Sequence, residues 1–219
     1  GFLKGILLSN LPKINSAIQD AIPATVPSIA TATGEESKCC IPGWDSCWCN
    51  CRATGSLKLT NMENANTLHI TKVNSVTSDD TANGTLAVTI NAEVKVWDMR
   101  FTGSAAGSLG ACGHSMSPVH GKAVVAMNMR GIATLKGTVL LGGPKVCFNT
   151  TDLHLEIPSD DIEYTQTNVE IGGWKLLQLS GGFWNSIIMA LPTSEFIDPV
   201  VVAAEPPIKK VLIEADLCI

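Results

Sequence analysis

The sequence is poor in charge. Only 16% of its 219 residues are Asp, Glu, Lys or Arg, against 45% apolar, and the 20 acidic and 15 basic side chains fall without blocks. A net charge of -5 so dispersed leaves no basic stripe for a polyanion, which argues against nucleic acid as a partner. Long apolar runs are also missing. The richest stretch, residues 183–191, is broken by Asn185 and Ser186 and stopped by Pro192, well short of the roughly 18 residues that cross a bilayer. Stable membrane insertion is therefore not expected. Nor is there a glycine-rich phosphate loop or a Gly-x-Ser-x-Gly turn: Gly103-Ser104-Ala105-Ala106-Gly107 and Gly113-His114-Ser115-Met116-Ser117 read as loops. His69, His114, His120 and His154 stand in separate contexts, and the pair Asp160-Asp161 reads as solvated turn chemistry. No catalytic residue, cofactor or metal is expected.

Cysteine, by contrast, is abundant. Cys39, Cys40, Cys47, Cys49 and Cys51 fall within thirteen residues, and Cys112, Cys147 and Cys218 are spread over the rest. If all eight are paired, an odd cluster cannot satisfy itself, so at least one bridge ties it to a distant cysteine; the sequence selects none of the possible pairings. A thiolate metal site at Cys-x-Cys-x-Cys, or one of Cys112, His114 and His120, is the rival reading; it lacks the paired Cys-x2-Cys spacing usual for zinc. The sequons at Asn83 and Asn149 agree with an oxidising compartment. The start at Gly1, without a basic n-region or a small-residue cleavage site, reads as that of a mature chain from which a signal has been removed. The expectation is a secreted, extracellular, disulfide-bonded glycoprotein.

Two periodicities divide the chain. Leu3, Leu7, Leu11, Ile14, Ile18 and Ile22 recur at steps of three and four, an amphipathic helix that Pro12 could kink and Pro23 and Pro27 end. With only Lys4 and Lys13 for positive charge, this helix is expected to pack on the body rather than to seek membranes. The polar stretch 31–37 and the cysteines beyond it read as a loop.

From residue 54 to 173 the period is two. Leu86, Val88, Ile90, Ala92, Val94 and Val96 share a face, which then switches to Trp97, Met99 and Phe101, the mark of a bulge. A longer run places Ala123, Val125, Met127, Met129, Gly131, Ala133, Leu135, Gly137, Val139 and Leu141 together. Such runs far exceed ordinary strands, so the sheet must curve. Further strands are expected at 145–157 and 161–171. The tail returns to helix: an apolar segment through Leu176, Leu177, Phe183, Trp184, Ile187, Ile188 and Leu191, then Phe196 to Ala215 at helical spacing, with Pro206-Pro207 opening the last helix.

The expected fold class is α+β: a long, strongly curved antiparallel sheet wrapped around N-terminal and C-terminal amphipathic helices, stapled by disulfides. It forms a single domain over 1–219, with helix at 1–30, a cysteine-rich loop at 31–53, sheet at 54–173 and helices at 174–219. In this layout helices lie along the concave face. It resembles the tubular lipid-binding superfamily, in particular the takeout and juvenile-hormone-binding proteins and the group 7 mite allergens. The rhythm of 84–143 is similar to their central strands, and Leu177-Gln178-Leu179-Ser180-Gly181-Gly182-Phe183-Trp184-Asn185 to their passage into the final helix. Those arthropod proteins typically carry one N-terminal cysteine pair where this chain has five cysteines.

The resemblance implies an apolar tunnel holding an elongated hydrophobic small molecule, a lipid, terpenoid or carotenoid-like pigment. The candidate lining is Leu86, Val88, Ile90, Val94, Val125, Met127, Met129, Leu135, Leu153, Leu155, Phe183, Trp184, Ile187 and Ile188. Met127 and Met129 fit ordinary core packing as well as a pocket that moulds to its ligand. Trp97, Trp174 and Trp184 suit burial or an interface, and Trp44 and Trp48 suit shielding of disulfides. The alternative function is a surface-active or membrane-disturbing defence protein acting through the N-terminal helix.

Overall fold

Helical spacing at the start gives α1 (Phe2–Ala21), and the chain then enters eight strands: β1 (Thr25–Pro42), β2 (Cys47–Glu63), β3 (His69–Asp80), β4 (Thr85–Ala111), β5 (His114–Ser115), β6 (Val119–Leu140), β7 (Phe148–Glu156) and β8 (Ile162–Ile171). Helices α2 (Gly181–Met189) and α3 (Ser194–Glu214) complete it. This is a computed structural model; it describes every residue except 1, 43–46, 82–83, 116, 142–143, 172–180, 216 and 219, and residues 2–3, 38–42, 47–48, 171 and 181–182 by their backbone alone.

All strands belong to one antiparallel sheet of order β1-β2-β4-β6-β7, in which β4 and β6 pair along almost their whole length, from Thr85↔Leu140 to Gly107↔Val119. The other strands are laid end to end along these two. On one side of β4, β3 pairs its first half and β2 its second. On the free side of β6, β7 pairs residues 132–139 and β8 residues 121–129. The sheet thus has two lobes: one of β3, β7 and the adjoining halves of β4 and β6, the other of β1, β2, β8 and the remaining halves.

The break between lobes coincides with the face switch read from the sequence. Register shifts between Val96 and Met99, and Asp98 takes φ 48°. Asn64, at the turn from β2 to β3, takes φ 64°, a left-handed conformation that Asn and Asp tolerate better than bulkier residues. Polar side chains stitch this waist across the outer surface. Thr67 Oγ1 donates to Trp97 O at 2.8 Å, Asn64 Nδ2 to Asp98 O at 2.8 Å, and Asp98 N to Asn128 Oδ1 at 3.0 Å.

The inner face carries the core. The alternation in β4 and β6 is in phase, so Val88, Ile90, Val94, Val125, Met127, Met129 and Leu135 all point inward and are buried. Helix α1 presents Leu7, Ile14 and Ile18, with Ile22 just beyond its end, and α3 presents Phe196, Val200, Ala204, Ile208 and Leu212 at one residue per turn. Asn15 fixes α1 to the rim of the sheet by bonding both the N and O of Ile70.

Three expectations are corrected. Residues 31–42 and 47–53 are not a loop: they belong to β1 and β2, paired from Thr25↔Glu63 to Pro42↔Cys47. The N-terminal helix accordingly stops at Ala21 rather than reaching residue 30, and the sheet begins at Thr25 rather than at 54. Small and polar residues sufficed here because the ladder is made by backbone, and from Ser28 to Gly34 the inner face of β1 carries only Ser28, Ala30, Ala32 and Gly34. The last helix also does not open at Pro206-Pro207; α3 starts at Ser194 and contains Pro199, Pro206 and Pro207. Proline there removes backbone donors. The helix is nonetheless held at both ends, by the Glu195 carboxylate accepting from Thr31 N at 3.0 Å and by the Cys147–Cys218 disulfide just beyond its C-terminus.

Candidate ligand-binding site

Every residue expected to line a ligand site lies on or against one continuous apolar cluster between sheet and helices, thirteen of them buried in it and Leu86 packed against its edge. They fall into zones. Val88, Ile90, Val94, Leu135, Leu153 and Leu155 belong to the first lobe, under α1 and α3. Met129 is opposite Val96 at the waist, with Met99 opposite Met127 beside it. Phe183, Trp184, Ile187 and Ile188 are on α2, which covers the second lobe.

The two coverings differ in closeness. Helix α2 sits directly on strand backbone: a Cβ at Gly34 would stand 2.5 Å from Ile187 Cγ1, and one at Gly55 would stand 2.7 Å from Ile187 Cδ1 and 2.8 Å from Phe183 Cε1. Asn185 Oδ1 accepts from Thr167 on β8 at 2.6 Å, which holds α2 from the opposite wall. In the first lobe the helices stand off on large side chains. A gap of about 10 Å³ remains between Leu7, Leu11 and Ile14 of α1, Leu212 of α3, and Ile70, Val73, Ile90, Ala92 and Leu135 of the sheet. That is about the space of one water.

Several residues of the interior lie outside the candidate lining read from the sequence. Phe196 packs edge-on against Phe101 at 5.1 Å and Tyr164 at 6.1 Å, and burial raises the Tyr164 phenol above its ordinary pKa. Met62 and Met99 join Met127 and Met129 in a band of four buried methionines across the waist. Ser28 and Thr150 are the two buried polar residues described, and their hydroxyls have no protein hydrogen-bond partner. Both occupy inward positions on β1 and β7, the strands that end the sheet order. No charged side chain is buried among the described residues.

The carboxylates of α3 act on backbone instead. Glu205 accepts from Leu155 N at 3.0 Å, on the open edge of β7, with His154 Nδ1 at 3.8 Å. Lys209 pairs with Asp152 at 2.8 Å; its hydrogen bond, ahead of its charge, holds the Asp152 carboxyl below the usual range.

The cysteines divide as parity required. Cys49 of the cluster is bonded to Cys112, and Cys147 to Cys218, spanning 63 and 71 residues. Cys51 is disulfide-bonded as well. The side chains of Cys39, Cys40 and Cys47 lie outside the described residues, as do Trp44, Trp174, Leu176, Leu177 and Asn83 and the side chain of Trp48. Asn149 is exposed on β7, and Thr151, two residues on, donates to Lys136 O at 3.1 Å. Among the described residues no three His, Cys, Asp or Glu side chains converge as metal ligands. His69 bonds Thr67 O at 2.8 Å, and His114 and His120 are exposed.

No family model matches the chain, and no curated protein is similar to it in sequence. Twelve chains of solved structures match. One is described as the crystal structure of a lipopolysaccharide binding protein, 13% identical, with a TM-score of 0.36 over 98% of this chain and 39% of that one. The chain thus spans about two fifths of the length of the protein it is similar to.

Proposed function

We propose that the protein is a secreted carrier that encloses an elongated hydrophobic small molecule along the concave face of its sheet. The observation that carries this reading is the character of that face: apolar through both lobes, free of buried charge among the described residues, and crossed at the waist by four methionines. Methionine is unbranched and polarisable, so a band of it repacks around a guest at less cost than branched side chains do. Ser28 and Thr150 are the hydroxyls an enclosed molecule could meet. Binding is desolvation rather than reaction, contributing about 25 cal/mol per Å² of apolar surface removed from water. Lipid, terpenoid and carotenoid-like pigment all satisfy such an interior, and the guest takes its space as the side chains of α1, α2 and α3 shift from the sheet. The disulfides fit an oxidising, extracellular setting, and Asn149 is accessible to glycosylation.

Action on membranes through α1 is the weaker reading. Ile6, Leu7, Ile14, Ile18 and Ile22 are already spent on the core. No single helix described is long and apolar enough to cross a bilayer. The pair α2 and α3 meets that standard of length and composition only together, bent by 56°.

The test is an absorbance spectrum of the natively purified protein, followed by mass spectrometry of its organic extract. A stoichiometric apolar compound is expected. An empty extract from folded protein, together with liposome leakage that disappears on deleting residues 1–11, would reverse the order of the two readings.

A further inference from the structure

We infer that the groove between α3 and the end of β7 is the mouth through which the guest passes, and that it selects molecules whose polar end donates hydrogen bonds, a hydroxyl or an amine, over those ending in a carboxylate. The inference rests on the carrier reading above. The groove is open to solvent and has a volume of about 550 Å³, within the range of small-molecule sites. Its floor is interior surface: Leu155 and Ile157 belong to the buried core, and Ile197 and Val201 pack against that core from α3. It is therefore continuous with the apolar face that would hold the guest.

The seam is open here for a mechanical reason. Helix α3 is fastened to β7 by the Cys147–Cys218 disulfide, by Phe148 N donating to Leu217 O, by Lys209 on Asp152 and by Glu205 on Leu155 N. Those fasteners end at Leu155, and the groove runs along residues 154–157. At its lip Val202 is 73% exposed, an apolar side chain left in water beside an apolar floor.

Charge sets the selection. Glu156 and Asp198 line the groove together with His154, which stands 3.8 Å from the Glu205 carboxylate beside it, and no lysine or arginine is among its lining residues. Lys209, the cation on the neighbouring turn, is already paired with Asp152. A carboxylate end would meet the like charges of Glu156 and Asp198. An alcohol finds acceptors, and an ammonium finds counter-charges.

Decylamine, decanol and decanoate, matched in chain length, test this by displacement of Nile red from the full-length protein at neutral pH. The amine and the alcohol are expected to bind at least about tenfold more tightly than the acid. The double variant Glu156→Gln, Asp198→Asn should raise decanoate affinity about tenfold and leave decanol within about twofold. A control with the same change in net charge, Asp79→Asn with Asp80→Asn on exposed β3, should leave the ranking as it was. Val202→Trp, at an exposed position that folding tolerates, should slow Nile red uptake about tenfold without lowering the thermal midpoint. Equal binding of the three probes, the same shift in the control, or unchanged uptake in Val202→Trp overturns the inference and leaves a carrier. Failure of all three probes to bind folded protein overturns the carrier reading with it.

Discussion

The two lobes share strands β4 and β6, yet they hold their helices in opposite ways. The first faces α1 and α3 with Ile70, Val73, Val88, Ile90, Val94, Leu135 and Leu153, so its layers are kept apart by side-chain volume. Toward its far end the second lobe offers Ala32, Gly34, Ala53, Gly55, Ala105 and Ala123, and α2 descends until Phe183, Trp184 and Ile187 touch strand backbone. Volume stabilises one lobe. The other, with less to bury, depends on close approach and on cross-links at its tip, where Cys49 meets Cys112 and Cys51 is also bonded. The same period of two in the sequence thus supports two kinds of packing, and residue size within the period decides which.

The largest expected effects are those of the disulfides. Loops of 63 and 71 residues are each worth about 4 kcal/mol in the chain-entropy model. Replacing both cysteines of either pair with serine should lower stability by about that amount in urea titration. Where amide exchange rises should differ: along β1 and β2 for Cys49 and Cys112, along α3 for Cys147 and Cys218. Equal loss everywhere would mean that the lobes do not differ as described.

Core truncation sharpens the contrast. Leu135→Ala, at a side chain 1% exposed between sheet, α1 and α3, should cost about 3 kcal/mol. Large side chains on three elements cannot all collapse into the space it leaves, and urea unfolding should show the loss in the global transition.

Gly55→Ala works by the opposite mechanism and should cost less, about 1 to 2 kcal/mol. Its new methyl would stand 2.7 Å from Ile187 Cδ1, 2.8 Å from Phe183 Cε1 and 3.1 Å from Trp184 Cη2, all side-chain atoms of one short helix. Because α2 can lift, exchange of its own amides should rise more than the midpoint falls. A fall as large as that of Leu135→Ala would show α2 to be as integral as α1.

Large inward side chains made the first lobe legible in the sequence, and small ones hid part of the second. Val96 giving way to Trp97 and Met99 announced the bulge at Asp98, and steps of three and four announced α1, because each apolar residue there has a core to enter. Residues 31–42 looked like a loop since their inner positions, Ala32 and Gly34, are small to admit α2, and that need becomes visible only once α2 is in place. Helical spacing from Phe196 to Ala215 announces α3, and Pro206-Pro207 misplaces its start because proline is favoured in the first turn of a helix. Its earlier turns are anchored by Glu195 on the N–H of Thr31, a bond between distant segments that leaves no pattern. Ten of the fourteen candidate lining residues come from the same alternation that marks the strands, and Phe183, Trp184, Ile187 and Ile188 from the apolar segment that forms α2. The groove could not be found in this way, since its walls are residues 154–157 and 197–202 and Glu205 is aimed at a backbone donor.

The smallest expected effect compares one surface ion pair from each lobe. Asp152 is held below the ordinary carboxylate range first by its hydrogen bond from Lys209, and Glu35 first by its hydrogen bond from Arg52. In both, the folded pKa lies below the unfolded one, so each pair contributes stability that is fully present above the unfolded value, about pH 4. That contribution is lost as pH falls through the lower folded value. Lys209→Met and Arg52→Met should therefore lie below the parent in thermal midpoint at neutral pH and converge with it in acid. Both pairs are solvent-exposed, so the gap should be slight and should close in about 1 M salt, where the screening length is about 3 Å. The Lys209 gap should be the wider of the two. Its bond joins a helix to the edge strand β7, whereas Arg52 and Glu35 meet diagonally across strands β1 and β2, which an extended backbone ladder already pairs.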